Sequence, residues 1–416
     1  MRNAFVSALA LVTLVACSSS TTNNPAPGGG TGTFPTAIAQ KAVVDTKKNA
    51  LIGYDAALAG AKALQAAVDT FVATPTEANL EAAKKAWIAA RVPYGPTEAH
   101  RCYDGPIDNP EDGPEGEINS WPLDENEIDY TRDAPESGLV NDLSVAELTK
   151  EVIADANEKK GDKAITTGYH AIEFLLWGQD DEKPGTGPGK RPFTDYVDGG
   201  THKNQARRRA YLKIVTALLV EDLEKVRDAW DPSKPNAFVT KFGVTPTDPA
   251  SQPDATKEVI SKLLRSMGSM AKAELSGERM TVAFKNRSEE DEHSCFSDTT
   301  ATDLLGNGTG IQNLWLGKWG SNDGVGVDEV VNAVDPALAT KTTADFADAI
   351  AKLTKLQQLQ ESGTPIDVIL QAPDESEGRK AMLDAIKALK LVGEDVEKAA
   401  TALGLKVELE NASEEL

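Results

Sequence analysis

The chain has 416 residues, of which 43 are Lys or Arg and 65 are Asp or Glu, so its formal net charge at pH 7 is −22. Nucleic acids and anionic membrane surfaces both require a basic face, and this charge argues against both kinds of partner. Hydrophobic residues make up 40% of the chain, which favours a folded protein with a sizeable core over a disordered one. Aromatic residues and β-branched alternation are scarce, so helices should dominate.

Residues 1–16 have the pattern of a bacterial lipoprotein signal peptide. Arg2 precedes an apolar run over residues 4–15, and Leu-Val-Ala at 14–16 leads directly into Cys17. Because a run of roughly 12 residues is too short to span a bilayer, we expect cleavage before Cys17 and lipidation of that cysteine. Residues 17–34 are rich in Ser, Thr, Asn, Pro and Gly and should form a flexible tether. We therefore expect a cell-envelope lipoprotein at the outer membrane, facing the periplasm or the cell surface.

Two cysteines remain in the mature chain, Cys102 and Cys295. In an oxidising compartment an even pair predicts a disulfide between distant parts of the chain. Two buried thiols are the alternative. A cysteine-rich metal site is excluded because there are too few cysteines.

The apolar spacing predicts helices with few interruptions before residue 231. Thr76 should cap the second helix. Residues 103–136 stack Asp, Gly and Pro without periodicity and should form a long loop, either functional or mobile. The predicted helices of this half cover 36–74, 77–92, 144–157, 165–177 and 203–230.

A break rich in Pro, Asp and Thr, residues 231–254, precedes a second helical half. Gly-rich residues 305–327 should be irregular. The fold class we predict is all-α, with two packed helical bundles, 35–235 and 254–416, and long irregular insertions. The helices of the second half are predicted over 257–284, 335–361 and 375–403.

One short stretch carries the clearest chemical pattern. His170 and Glu173 stand at i and i+3 of a predicted helix, so an imidazole and a carboxylate can converge on one cation. Gly168 should leave open space beside that face. The alternative is that the two side chains only hydrogen-bond each other. The zinc-protease patterns are absent, since Phe174 stands where the inverted form needs His, and a third ligand must come from elsewhere in the chain.

Three separated motifs together resemble a known family. Gly168-Tyr-His170-Ala-Ile-Glu173, followed by Phe-Leu-Leu-Trp-Gly, is similar to the signature of the imelysin-like proteins. Pro-Tyr-Gly-Pro-Thr-Glu-Ala at 93–99, and Glu-Asp-Glu-His-Ser-Cys-Phe-Ser-Asp at 290–298 with Gly-Ile-Gln-Asn at 310–313, resemble its iron-regulated protein A branch. The resemblance covers about residues 36–403. His100 departs from it, because an aromatic residue is expected there.

The resemblance implies an all-helical fold of two bundles, attachment to the envelope and a role in iron uptake. The family is also filed among peptidases. Its H-x-x-E motif is shared with periplasmic components of ferrous-iron uptake systems, where it is regarded as a metal site. Carried over, His170 and Glu173 become the metal ligands.

Other residues could complete such a site. Glu98 follows a helix just before the long loop and is the best further carboxylate, unless it is solvated or paired with Arg91 or Arg101. His293 is the second candidate, and the acid run 289–292 before it should be a solvated face. Residues expected to support the site are Gly168, Arg101, Glu292 and Asp298. Imidazole and carboxylate ligands suit iron, zinc or manganese alike.

The sequence thus predicts an envelope lipoprotein that binds iron, another divalent metal such as zinc, or an iron complex during iron uptake. Its partners would be that metal or iron complex, the membrane through the lipid anchor alone, and a component of an uptake system in the envelope. Two alternatives stay open: a metallopeptidase of the imelysin type, which the family filing alone favours, and a non-catalytic adhesion or scaffold lipoprotein.

Overall fold

The protein is described from a computed structural model, which covers residues 33–180, 185, 187–243 and 252–410. These residues form helices, turns and one small hairpin, in which Lys318–Trp319 (β1) pairs antiparallel with Asn322–Asp323 (β2). The predicted all-α fold class is confirmed.

The first two helices follow the predicted bounds. Helix α1 spans Thr36–Ala73, and α2 spans Glu77–Tyr94 and packs against it. Thr76 caps α2 as predicted, because its Oγ1 accepts a hydrogen bond from the backbone N of Asn79 at 3.2 Å. A 3-10 turn, Gly95–His100, continues the chain from the end of α2 into the long loop.

The rest of the first half contains more irregular structure than the spacing predicts. The predicted loop holds α3, Glu115–Ile118, and the helix expected over 144–157 is reduced to α4, Lys150–Ala154. Helix α5, Gly168–Trp177, carries the H-x-x-E motif, and α6, Gln205–Ala229, packs against both α1 and α5. Further 3-10 turns lie at Glu125–Glu127, Phe193–Tyr196, Phe238–Thr240 and Glu289–Asp291.

The amphipathic stretch predicted over 257–284 is helical but changes its winding. Helix α7, Gln252–Ser269, continues into a π-helix, Met270–Val282, and then into α8, Ala283–Asn286. A π-helix is rare and occurs mostly near functional sites. This one carries Arg279, which reaches the cluster described below.

The prediction that residues 305–327 are irregular is wrong for their first half, which belongs to helix α9, Thr300–Leu316. Its glycines serve packing rather than turns. A Cβ on Gly310 would lie 2.2 Å from the Pro96 carbonyl oxygen, and one on Gly306 would lie 3.4 Å from the Gly95 Cα. Small residues one turn apart thus let α9 lie directly on the Gly95–His100 turn.

The last helices confirm the predicted pattern. Helix α11, Pro336–Glu361, packs against helix α13, Glu377–Ala402. One hydrophobic core cluster includes buried residues from both sides of the 231–254 break, so the two predicted bundles are packed on each other. Their boundary remains a prediction. Two short helices, α10, Val327–Asn332, and α12, Ile366–Gln371, precede α11 and α13 respectively.

The signal peptide, Cys17 and all but the last residues of the tether lie outside the described residues. Of the helices that the structure describes, none has both the length and the apolar character needed to cross a membrane.

The predicted disulfide is not formed. Cys102 and Cys295 are both buried thiols with no bond between them. Cys102 follows the Gly95–His100 turn next to Tyr103, whereas Cys295 lies among the carboxylates of Glu173 and Glu292. The cysteine count and the compartment favoured a bridge, but a disulfide also needs closely placed Cα atoms, which neither the count nor the compartment specifies.

Candidate functional site

Five parts of the chain that are distant in the sequence meet in one buried cluster. They are the Gly95–His100 turn, the residue that follows α3, helix α5, the π-helix, and the chain that runs from the Glu289–Asp291 turn into α9. We call this cluster the polar centre. It consists of Glu98, Asn119, His170, Glu173, Arg279, His293 and Asp303.

His170 and Glu173 contact each other as their spacing predicts. His170 Nδ1 and Glu173 Oε2 are 3.0 Å apart, a separation at which one proton is shared, and both side chains are 0% exposed. The other carboxylate oxygen, Oε1, accepts hydrogen bonds from the Ser297 backbone N at 3.0 Å and from its Oγ at 2.7 Å. Glu173 therefore ties α5 to the segment that follows His293.

Gly168 supports this arrangement in a different way from the one expected. It has φ +82°, and a Cβ there would lie 2.6 Å from the Ile118 carbonyl oxygen. The expectation of open space beside it is therefore wrong. Glycine is needed because the backbone of α3 crosses the start of α5 at close range, which brings Asn119 into the polar centre.

His293 lies next to His170, with ring centroids 4.7 Å apart and ring planes at 67°. His293 Nδ1 is 3.3 Å from Asp303 Oδ2, within ion-pair distance but not aligned as a hydrogen bond. Asp303 is held from the other side by Arg91, whose Nε donates to Oδ1 at 3.1 Å. A second carboxylate–imidazole pair thus faces the first.

Glu98 lies in the same cluster, but its carboxylate is fully occupied. Oε2 accepts hydrogen bonds from Arg279 at 2.7 Å and from Arg101 at 3.4 Å. Oε1 accepts from the side-chain amides of Asn119 at 3.2 Å and Asn307 at 3.1 Å. The Arg101-paired alternative is therefore the one observed, and Glu98 is a poor candidate ligand.

The charges of the polar centre are set by burial and by the arginines. Burial alone would raise the pKa of Glu98, but Arg279 and Arg101 outweigh it and lower that pKa to about 2. Burial would also raise the pKa of Asp303, but Arg91 outweighs this effect and holds that pKa well below its usual range. Both carboxylates are therefore ionised at neutral pH.

The imidazoles and Glu173 are shifted toward their neutral forms. Burial raises the pKa of Glu173 well above its usual range. Burial, followed by the neighbouring His293, lowers the pKa of His170 far below its ordinary value. Burial, followed by Arg279, also lowers the pKa of His293. A neutral imidazole is the form that binds a metal ion.

One ring nitrogen of each histidine lacks a hydrogen-bond partner within the described residues. These are His170 Nε2 and His293 Nδ1. A buried polar atom without a partner costs free energy, and such atoms mark functional sites or missing ligands. Across the described ranges, however, no group of three His, Cys, Asp or Glu side chains is arranged to hold a metal ion. The centre as it stands therefore offers two imidazole donors.

The remaining predicted residues lie around this cluster or outside it. Arg101 also contacts Glu115 at 3.3 Å and Glu274 at 3.7 Å, so it supports Glu98. Glu292 is 1% exposed, and the predicted solvated face is wrong at this position. Burial and then Asp367 raise the pKa of Glu292 well above its usual range and that of Asp298 to about 7. These two acids thus interact with α12 rather than with His170.

His100, the departure from the family pattern, is an aromatic core residue in this fold. Its ring stacks on Trp319 at 5.6 Å and lies 5.5 Å from Trp230, and its Nδ1 is 3.2 Å from the Tyr103 hydroxyl. Burial lowers the pKa of His100 to about 3. Histidine here replaces the expected aromatic ring and takes no part in the polar centre.

The sequence reasoning missed three residues of the polar centre, Asn119, Arg279 and Asp303, and also Asn307, which contacts Glu98. Asp303 and Asn307 stand one turn apart on the buried face of α9, and this spacing of polar residues within an apolar face was the available signal. Asn119 and Arg279 carry no comparable signal, because one lies in the long loop and the other on the π-helix.

Comparison with known proteins identifies the family of the chain. The family model for imelysin (peptidase M75) matches residues 50–393. The chain is 25% identical to iron-regulated protein A of Synechococcus elongatus over 358 residues, which is 84% of this chain and 82% of that protein.

Two crystal structures share the fold. One is described as an iron-regulated protein A precursor from Parabacteroides distasonis, with a TM-score of 0.62, 19% identity, and coverage of 89% of this chain and 98% of that one. The other is an imelysin-like protein from Psychrobacter arcticum, with a TM-score of 0.56, 14% identity, and coverage of 90% and 98%.

The same substitution should change the unfolding free energy strongly at one glutamate of the polar centre and hardly at the other. Glu98→Gln removes an ionised carboxylate and leaves the guanidinium groups of Arg101 and Arg279 with only Glu115 and Glu274 to compensate them. We therefore expect the metal-free protein to lose about 3 kcal/mol of unfolding free energy. Glu173→Gln replaces a carboxyl that is already neutral, so the change should stay within about 1 kcal/mol. Urea unfolding at pH 7 measures both.

The pH dependence adds a second check. The pKa of Glu98 is about 2 in the folded state, against an ordinary value of 4.5, so its stabilisation is present above pH 4.5 and disappears as the pH falls through 2. The loss of unfolding free energy in Glu98→Gln should therefore be smaller at acid pH than at pH 7. Because the pKa of Glu173 is raised, wild type should lose stability relative to Glu173→Gln as the pH rises above 4.5. Equal losses in the two variants at pH 7 would contradict the assigned charges.

Proposed function

The chain belongs to the imelysin family, and from that premise we propose that it is an iron-related binding protein whose polar centre takes up a divalent metal ion. The iron-regulated name of the Synechococcus elongatus relative supports an iron-related role at the level of the family. The observation that carries the proposal is a pair of neighbouring buried imidazoles, of which His170 has Glu173 at Nδ1 and no partner at Nε2 within the described residues.

The His170–Glu173 pair resembles the arrangement behind metal-binding histidines. A histidine ligand usually bonds a carboxylate through its other ring nitrogen, which fixes the ring and makes the ligating nitrogen more basic. Glu173 Oε2 contacts His170 Nδ1 in this way and leaves Nε2 available. Glu173 is therefore better suited to orienting His170 than to ligating the metal itself.

The residues that would hold the ion are His170 and His293. Two neutral imidazoles suit iron or zinc, and the donor types alone do not choose between them. Water would supply the further ligands, because both oxygens of Glu173 are engaged by His170 and Ser297. Glu98 and Asp303 would not ligate, because they neutralise the nearby Arg279 and Arg91 and so prevent these cations from repelling the metal.

The burial of the polar centre favours an ion as cargo over a peptide as substrate. A hydrolytic metal site needs an open position that a peptide carbonyl can reach. His170 and Glu173 are 0% exposed, so a polypeptide has no access to them in this conformation. A purely structural role does not account for the unpartnered nitrogen of a fully buried His170.

The expected location of the protein supports the same function. A lipid on Cys17 and a flexible tether would hold the folded part at the outer membrane, close to a component of a metal-uptake system.

Replacement of Cys17 by Ser tests the anchor. Without the lipid attachment site, we expect the protein to move from the membrane fraction to the soluble envelope fraction, because no described helix replaces the anchor. Retention of Cys17→Ser in the membrane fraction would contradict lipid anchoring.

Metal analysis tests the binding site. The full-length mature protein, purified without chelator or an immobilised-metal step, should contain about one iron or zinc ion per chain by mass spectrometry. His170→Ala and His293→Ala should each lose that metal while the helical circular dichroism persists.

His202→Ala is the matched control, because His202 stacks on Tyr130 outside the polar centre. It should keep its metal. Unchanged metal in His170→Ala, or no metal in wild type even after reconstitution, would refute the proposal and leave the centre a structural element.

A further inference from the structure

A cleft of ≈ 350 Å³ lies between the long loop and α6, beside the start of α5. Its walls come from residues 109–114 of the loop and from α3, α4, α6 and the residue before α5. Four acids but only one cation line it: Glu111, Asp112, Glu117, Asp222 and Lys225. The cleft therefore carries an excess of negative charge.

The one cation compensates only one of these acids. Lys225 Nζ lies 3.3 Å from Asp112 Oδ2, and it also donates to the Asp112 carbonyl oxygen. Glu111 and Asp112 are exposed on the loop, where water solvates their charges. The two remaining acids, Glu117 and Asp222, are partly buried and have no such compensation.

Glu117 and Asp222 repel each other across the cleft. Neither carboxylate forms an ion pair with a described residue. Burial, followed by the charge of Glu117, raises the pKa of Asp222 to about 6, and burial also raises the pKa of Glu117. Such a pair of like charges destabilises the empty cleft, and a bound cation would relieve the repulsion.

Thr167 adds a neutral oxygen to the same cleft. It is the residue before α5, its side chain is only 2% exposed, and its Oγ1 is buried without a hydrogen-bond partner among the described residues. A threonine at this position normally accepts a hydrogen bond from the first turn of its helix, but Thr167 does not. A buried polar atom without a partner is a mark of a missing ligand or water.

We propose that this cleft binds a hydrated Mg²⁺ ion. Mg²⁺ prefers oxygen donors and commonly binds through one or two carboxylates while it keeps several waters. Across the described residues no three acids converge closely enough to ligate an ion directly, so the water shell would bridge the ion to Glu117, Asp222 and Thr167. Six waters occupy about 180 Å³, which the cleft can hold.

The site is separate from the metal proposed at His170. It shares no side chain with the polar centre, and its donors are oxygens, whereas those of the polar centre are imidazole nitrogens. Mg²⁺ has little affinity for imidazole, so it probes the cleft rather than the polar centre.

Thermal unfolding of the full-length mature protein tests the proposal, with about 10 mM MgCl₂ compared with NaCl at the same ionic strength. Mg²⁺ should raise the melting temperature of wild type by about 2 °C, because an ion that binds only the folded state stabilises it. Glu117→Gln/Asp222→Asn should lose that rise. Without Mg²⁺ this variant should melt no lower than wild type, since the substitutions remove an uncompensated repulsion.

The matched control is Asp384→Asn/Glu394→Gln, which makes the same two changes at exposed positions of α13. It should keep the rise, and so should His170→Ala. Loss of the rise in both double variants would show that Mg²⁺ only screens the net charge, and loss in His170→Ala would place the ion at the polar centre. Either result would overturn the site, as would the absence of a rise in wild type or a lower melting temperature of Glu117→Gln/Asp222→Asn without Mg²⁺.

Discussion

The site depends on one constraint: ionised groups buried in the interior must be neutralised by partners of opposite charge. Arg279 comes from the π-helix and Glu98 from the turn after α2, and they meet at 2.7 Å. Arg91 of α2 and Asp303 of α9 meet at 3.0 Å with both side chains 2% exposed. Because each pair joins separate parts of the chain, the same contacts that satisfy the charges hold together the elements that position the histidines.

This arrangement leaves the histidines in an unusual state. The ionised carboxylates are committed to arginines or, at Asp303, shared between Arg91 and His293, while Glu173 and both imidazoles are neutral at pH 7. The polar centre thus carries little net charge, although it contains many ionisable groups. A metal ion entering there would find neutral nitrogen donors, and the His170–Glu173 pair would have to lose one proton as the metal binds. Metal uptake should therefore be coupled to proton release.

Much of the fold follows from local sequence, but the site follows from it only in part. The helical spacing gives α1, α2, α11 and α13 because long amphipathic segments are fixed by local periodicity. The α9 glycines predict irregular structure on propensity alone, and only their contact with Gly95 and Pro96 explains a helix.

Similarly, His170 and Glu173 are paired by their i,i+3 spacing. Long-range packing decides that Glu98 acts as a counter-charge, where Asp303 lies, and that the two cysteines stay unbridged. No local pattern encodes them, and the cysteine count favoured a bridge that the fold does not form. The most direct test of the account is the anomalous diffraction signal from crystals soaked with ferrous iron or zinc. We expect one strong anomalous peak, about 2.0–2.1 Å from a ring nitrogen of His170 and from a ring nitrogen of His293. A peak bound elsewhere, or an unoccupied polar centre in crystals that hold the metal at other sites, would contradict it.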